Sequence, residues 1–364
     1  MNVTRFIDGY LSGYKNYKSY WNYEDGCVLM GCLQLYVATA EEKYYDFIVN
    51  YLSAFINDDG SINNYELDKF NIDSINAGKV LFFVYKKSGE EKYRKAIEFL
   101  MDQLRKHPRT QSNNFWHKQI YPNQVWLDGL YMAQPFYMEY ETTFNKKENY
   151  NDIVSQFENV RKFMYDEEKK LYYHGYDEAR IQPWANRKTG LSPNFWLRSM
   201  GWYLMALIDV IDTMSVEIFE HYHRLCEIFK EAVNGILQYQ YSNTKLFYQV
   251  IDKKDVSGNY TETSGSAMVA YSIMKGCRLG VLSKEKYENF GTETMDALIE
   301  QKLQEDNGEI VLKDICWVAG LGPGEQRDGS VEYYLSEKIV QNDSKGVGPF
   351  MMAYAQMLML KAEA

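Results

Sequence analysis

The stretch Gln124–Phe136, QVWLDGLYMAQPF, is apolar at helical spacing and carries one carboxylate, Asp128, near its beginning. A helix that is apolar on nearly all sides is expected to be buried. A carboxylate in such a place is costly unless it has a partner or a chemical use. Apolar surroundings raise the pKa of a carboxylic acid, which makes it a proton donor near neutral pH. The alternative is that Asp128 stabilises the unpaired N–H groups of the helix's first turn.

The rest of the chain has the same helical period and few alternating runs. Nearly all-apolar segments such as WLRSMGWYLMALIDVID (196–212) alternate with segments that have a charged face, such as EEKYRKAIEFLMDQLRKH (90–107). We predict twelve helices, near 3–18, 26–38, 42–56, 73–87, 91–105, 126–143, 148–166, 196–213, 216–238, 263–279, 284–302 and 347–361.

Six buried helices that alternate with six amphipathic ones predict an all-α fold, an (α/α)6 barrel of six inner and six outer helices. An open superhelical solenoid of helical pairs would give a similar periodicity. No boundary rich in Pro, Gly or Ser interrupts the pattern, so residues 1–364 are predicted to form a single domain.

The composition excludes some classes of partner. A net charge of −10 argues against a nucleic-acid groove, but a local cation can still hold a small anion. The aromatic content of 16%, with 32 Tyr, suits sugars, although Tyr-rich packing explains it equally well. The five scattered cysteines predict free thiols in a reducing compartment, because no CxxC pair occurs. With neither a signal peptide nor a membrane span in the pattern, we expect a soluble, cytoplasmic protein.

Four long segments lack a helical pattern: 106–125, 167–195, 240–262 and 303–346. Loops of this length in a compact domain are usually functional. Each leads into a predicted inner helix, so all four should lie at one end of the barrel. LYYHGYD (171–177) and LFYQVID (246–252) are candidates for short strands there.

Polar residues on the predicted inner helices cluster at the helix beginnings, which should face one rim. Asp73, Asp128, Arg198, Ser264 and Ser266 are of this kind. Capping of helix ends is the alternative for the Asp and Ser residues, but an unpaired buried Arg is rare. The aromatic and loop residues expected at the same end are His117, Lys118, Trp126, His174, Trp184, Trp196 and Trp202.

Other chemistries find little support. No HExxH or GxSxG motif occurs, and His221 and His223 lie on a charged outer helix, where a solvated role is expected. GLGPGEQRDG (320–329) lacks the GK[ST] of a phosphate loop and is interpreted as a turn. No metal site is predicted.

Six motifs, in this order, resemble those of the unsaturated rhamnogalacturonyl hydrolases, family 105 of the glycoside hydrolases, and more distantly family 88. They cover about residues 20 to 360 and read NIDSINAGK, FWHKQIYPNQVWLDGLYMAQPF, LYYHGYDE, SPNFWLRSMGWY, TSGSAM and YYLSEKIVQNDSKGVGPF.

The resemblance implies an (α/α)6 barrel that hydrates the C4=C5 double bond of a 4-deoxy uronate at the end of a short pectin fragment. Asp128 would protonate C4 and assist water addition at C5, and Asp73 is the family's second aspartate. The substrate-contacting positions implied are Asn22, Tyr23, Lys118, His174, Trp196, Arg198 and Trp202. Neither a metal nor an organic cofactor is expected. The expected partner is an unsaturated uronyl disaccharide, and the expected assembly a monomer or a homodimer.

Three alternatives stay open at this point. One is an unsaturated glucuronyl hydrolase acting on glycosaminoglycan or ulvan fragments. Another is a sugar epimerase on the same barrel, for which only His117 and His174 would be available as the facing pair. The third is a non-catalytic helical scaffold for protein partners.

Overall fold

A closed ring of helices forms the core of the computed structural model, which describes residues 2–16, 18–324 and 326–363. Thirteen α-helices occur in this part of the chain: α1 (Val3–Gly13), α2 (Tyr23–Thr39), α3 (Glu42–Phe55), α4 (Val80–Ser88), α5 (Glu91–Lys106), α6 (Leu127–Thr143), α7 (Tyr150–Met164), α8 (Leu197–Thr213), α9 (Phe219–Leu237), α10 (Thr263–Arg278), α11 (Lys284–Gln301), α12 (Val331–Ser336) and α13 (Ser344–Glu363). A 3-10 helix, Ile72–Lys79, leads directly into α4.

The inner ring consists of α2, the 3-10 helix with α4, α6, α8, α10 and α13. Each member packs against the next, and α13 packs back against α2. The ring is therefore closed, which confirms the (α/α)6 barrel and excludes the open solenoid. Helices α1, α3, α5, α7, α9 and α11 lie outside it.

Burial follows the sequence pattern that predicted the two rings. Every residue of α8 from Leu197 to Ile211 is buried. Along α5, by contrast, Tyr93, Ala96, Ile97 and Leu100 are buried at spacings of three and four residues. Such a stripe lets one face of the helix cover the core while the other meets water.

Two glycines allow the inner helices to approach closely. A Cβ atom at Gly348 of α13 would lie 2.4 Å from the carbonyl oxygen of Cys27 in α2. A Cβ atom at Gly201 of α8 would lie 2.7 Å from that of Met268 in α10. Any larger residue would push the paired helices apart.

Within the described ranges, eight short strands form four antiparallel pairs, all in the connections between helices. The pairs are β1 (Gln124–Trp126) with β4 (Gly175–Asp177), β2 (Tyr165–Asp166) with β3 (Leu171–Tyr172), β5 (Leu303–Asp306) with β6 (Glu309–Leu312), and β7 (Ile315–Cys316) with β8 (Ile339–Val340). The β1–β4 pair places Trp126 opposite Gly175. The N–H of Leu127 then donates to the carbonyl of His174, which fixes that histidine at the start of α6.

The predicted elements differ from the structure in several places. Strands occur within 171–177 as expected, but the predicted strand at 246–252 is wrong. There the side chain of Asn259 bonds both the N–H and the C=O of Val250, so no ladder extends past single bridges. The first helix ends at Gly13 rather than near residue 18, and Tyr17 lies outside the described residues. The segment 303–346, expected to be a loop, contains α12 and four strands.

No helix within the described ranges is long and apolar enough to cross a membrane. That residues 1–364 form a single domain stays a prediction.

Candidate active site

The amino-terminal ends of the inner helices surround one cleft of about 200 Å³. It is lined by Tyr23 of α2, Asp73 of the 3-10 helix, Asp128 of α6, Arg198 of α8 and Lys345 of α13. Inner helices all run in the same direction because an antiparallel outer helix lies between each inner helix and the next one along the chain. Residues more than three hundred positions apart in sequence (Tyr23 and Lys345) therefore reach the same cavity.

Asp128 lies against a buried histidine at the cleft floor. Its side chain is 15% exposed, and its Oδ2 atom lies 3.3 Å from Nε2 of the fully buried His174. No hydrogen bond joins these two atoms, and neither has a hydrogen-bond partner among the described residues. The other ring nitrogen, Nδ1, lies 2.8 Å from the hydroxyl of Tyr334. Asp128 is thus positioned by contact with His174 while one edge of its carboxylate remains open to the cleft.

Asp73 is held as a carboxylate by a cation. Burial tends to raise its pKa, but the ammonium of Lys118, 2.7 Å from Oδ2, outweighs this and keeps the pKa below its usual value. The same contact raises the pKa of Lys118, against the effect of its own burial. His117 Nε2 lies 3.5 Å from Asp73 Oδ1, and burial lowers the pKa of this imidazole to about 4. At neutral pH the cleft therefore holds an ionised Asp73, a charged Lys118 and a neutral His117.

Aromatic rings form the walls. Trp126 stacks on His117 with ring centroids 4.2 Å apart and on Tyr121 at 4.9 Å. Trp202 stacks on Tyr131 of the neighbouring helix at 4.8 Å. Fixed ring faces of this kind match the apolar faces of sugars.

Arg198 lies at the edge of the cleft, but its guanidinium is already occupied. Its Nε donates to Ser264 Oγ at 2.7 Å, and the remaining nitrogens donate to the carbonyls of Cys316 and Trp317. Glu262 Oε1 lies 3.6 Å away. The pKa of Arg198 is raised because the Cys316 and Glu262 groups counteract the effect of burial. Only 1% of the residue is exposed, so its contacts are mainly internal.

Five sequence-predicted residues lie near the site without lining the cleft, and one of them, Ser264, accepts the hydrogen bond from Arg198 described above. Asn22 caps α2, accepting from the N–H of Asp25 and donating to Asp25 Oδ2. Ser266 accepts a hydrogen bond from the N–H of Phe247. His174 lies behind Asp128, and Trp184 packs behind Trp126 in a small cluster of buried residues.

A family model for the glycosyl hydrolases of family 88 matches residues 3–361, nearly the whole chain. The chain belongs to the family 88/105 glycoside hydrolases. A glycoside hydrolase of family 105 from C. acetobutylicum is 43% identical, and its structure superimposes with a TM-score of 0.92 over 98% of this chain and 99% of that one.

Two curated relatives in this family extend the comparison. Protein Atu3128 of Agrobacterium fabrum is 40% identical over 240 residues, which are 63% of this chain and 99% of that protein. The unsaturated rhamnogalacturonyl hydrolase YesR of Bacillus subtilis is 23% identical over 265 residues, 71% of this chain and 72% of that protein.

The cleft of this family 88/105 hydrolase also contains charged residues that the sequence analysis missed. Lys18 pairs with Glu24 at 2.5 Å, and Lys345 pairs with Asp343 at 2.7 Å. Arg327 makes no ion pair and no side-chain hydrogen bond to the residues that the structure describes. It lies in the Gly-rich segment that was interpreted only as a turn, where no periodicity could have drawn attention to it. Within the described ranges, no group of His, Cys, Asp and Glu is arranged to hold a metal ion.

Proposed function

We propose that this chain is an unsaturated rhamnogalacturonyl hydrolase, which removes the 4-deoxy, C4=C5 unsaturated uronate from short fragments left by pectin or rhamnogalacturonan lyases. The observation that carries the proposal is the pair of aspartates in one aromatic cleft. Asp73 is held as an anion by Lys118, whereas Asp128 lies against His174 and makes no ion pair with any Lys or Arg that the structure describes. Two carboxyl groups in such different surroundings are suited to different roles. The similarity to YesR, an unsaturated rhamnogalacturonyl hydrolase, supports the substrate class.

In the proposed reaction, Asp128 donates its proton to C4 of the double bond, and positive charge develops at C5. Ionised Asp73 stabilises that charge across the cleft. A water molecule adds to C5 and returns its proton to Asp128, leaving a hemiketal. The hemiketal ring then opens and expels the remaining sugar. The glycosidic C1 is never attacked, so the distance between the two carboxylates does not indicate retention or inversion.

Several cleft residues would bind the sugar rather than react with it. Tyr23, Trp126, Trp196 and Trp202 provide ring surfaces. The uronate carboxylate needs a cation, and Lys118 already faces Asp73. Arg198 is likewise occupied internally. We therefore assign the substrate carboxylate to Arg327, whose planar guanidinium can hold it by two parallel hydrogen bonds.

The proposal is tested with an unsaturated rhamnogalacturonan disaccharide and its saturated counterpart with the same linkage. Hydration requires the double bond, so the ultraviolet absorbance of the first should fall as its sugars separate, and the second should remain intact. Cleavage of both at similar rates would show direct attack at C1. If only glycosaminoglycan-derived or ulvan-derived disaccharides are turned over, the proposed hydration reaction is supported but the proposed rhamnogalacturonan substrate is wrong.

Arg327→Gln should raise KM for the unsaturated disaccharide by about 10- to 100-fold, the worth of a hydrogen-bonded charge, with a smaller effect on kcat. The measurement is initial-rate kinetics followed by absorbance. Lys230→Gln, an exposed change on outer helix α9, is the control and should leave KM unchanged. The methyl ester of the substrate supplies a second readout. Wild type should discriminate against the ester, the Arg327→Gln variant should not, and equal discrimination by both would remove Arg327 from carboxylate binding.

A further inference from the structure

A second and larger cavity of about 1320 Å³ lies beside the cleft. Helix α1 and the residues that flank it, from Asn2 to Lys15, form one side of this groove. The turn at Gly308–Ile310, Trp317 and the segment Val340–Ser344 form the other side. The 11 residues of α1 span about 16 Å at the usual helical rise, so the groove has room for several sugar units.

The wall between groove and cleft is one backbone segment thick in two places. Trp317 lines the groove, while the next residue, Val318, lines the cleft. In the same way Ser344 lines the groove and Lys345 the cleft. The groove and the cleft are therefore separated at these points only by a single backbone segment.

The side chains of the groove suit an acidic sugar chain. Trp317 is 47% exposed, although it is a residue that is usually well buried, and its ring is available for stacking. Arg5 and Lys15 are exposed and make no ion pair with described residues, whereas the groove carboxylates Asp8 and Asp343 are neutralised by lysines outside it. Glu309 is the remaining acidic group in the lining, so cations are in excess among the unpaired charges.

We propose that this groove is an extended subsite for acidic oligosaccharides longer than a disaccharide. The unsaturated uronate and the sugar linked to it would lie in the cleft. The third and fourth sugars would cross the rim onto Trp317 and extend toward Lys15 and Arg5. This inference rests on the proposed function for the placement of the unsaturated end. It adds a chain-length preference that the cleft alone does not provide.

The test compares kcat/KM for an unsaturated disaccharide and an unsaturated tetrasaccharide of the same repeat. Trp317→Ala should lower the tetrasaccharide value about tenfold, the worth of one stacked ring, and change the disaccharide value less than twofold. Arg5→Gln, far from the cleft, should lower the tetrasaccharide value in a salt-dependent manner, because exposed charges are screened. Equal losses on both substrates, or no loss on either, would overturn the inference.

A binding measurement separates this inference from the proposed function. Saturated tetragalacturonate, titrated by calorimetry, should bind wild type and bind Arg5→Gln more weakly, while neutral maltotetraose should bind neither. If tetragalacturonate binds in this way but the enzyme turns over no unsaturated disaccharide, the proposed function is wrong and the groove remains a binding site for acidic oligosaccharides. If disaccharide turnover is normal and chain length has no effect, the groove is not an extended subsite and the proposed function still holds. A dimer in sedimentation that Trp317→Ala dissociates, again with no chain-length effect, would assign the groove to a second copy of the chain.

Discussion

Asp128→Asn is expected to lower kcat/KM for the unsaturated disaccharide by about 10²–10⁴-fold, the usual worth of a positioned general acid. The amide has nearly the shape of the carboxyl group but no proton to give to C4 at neutral pH. Folding should be almost unaffected, because Oδ2 makes no hydrogen bond to described residues and the side chain is partly open to the cleft. The measurement is the initial rate of absorbance loss, with the thermal midpoint recorded on the same preparation.

The matched control is Asp296→Asn, which removes an exposed carboxylate from outer helix α11. Its rate and thermal midpoint should both equal those of wild type. An Asp128→Asn enzyme that keeps near-normal turnover would remove Asp128 from the reaction. A low rate accompanied by a large fall in thermal midpoint would instead indicate a structural role, namely the capping alternative raised by the sequence.

The barrel could be predicted from sequence because inner helices are buried on all sides and outer helices on one side only. The spacing of apolar residues along the chain shows this difference. Helix α8 is buried on all sides and mostly apolar, whereas α5 has one buried stripe. The shorter elements could not be predicted in this way. The 3-10 helix Ile72–Lys79 has the same hydrophobic pattern as an α-helix, and α12 is only 6 residues long. A period needs more turns than that to be visible.

The sequence predicted that the candidate site residues lie together at one end of the barrel. It could not predict which groups each of them contacts. Asp73, Asp128 and Arg198 stood out because each interrupts an apolar helix near its beginning. The internal role of Arg198 depends on carbonyls about 118 residues away and on the carboxylate of Glu262. No local pattern carries such information. For the same reason Arg327, in an irregular segment with no period, was missed.

Glu262→Gln is expected to lower the free energy of unfolding by about 3–5 kcal/mol, the usual cost of breaking a buried ion pair from one side. The fully buried carboxylate accepts from the N–H groups of Ser264, Gly265 and Cys316 and from the Ser264 hydroxyl, and it lies 3.6 Å from Arg198. A glutamine offers only one acceptor oxygen, so its NH₂ group must face one of these donors. The Arg198 charge would also lose its counterion. Urea unfolding followed by fluorescence measures the loss.

The same substitution separates two roles for Arg198. If the network of Arg198 and Glu262 mainly supports the fold, Glu262→Gln should shift the unfolding midpoint strongly. In that case KM of the enzyme that remains folded, measured well below the transition, should change little. Glu42→Gln is the control, because it removes an exposed ion pair with Lys87 and should leave the midpoint in place. A stable Glu262→Gln variant with a greatly raised KM would reverse the assignment, because Arg198 would then contribute mainly to substrate binding, as the sequence motif first implied.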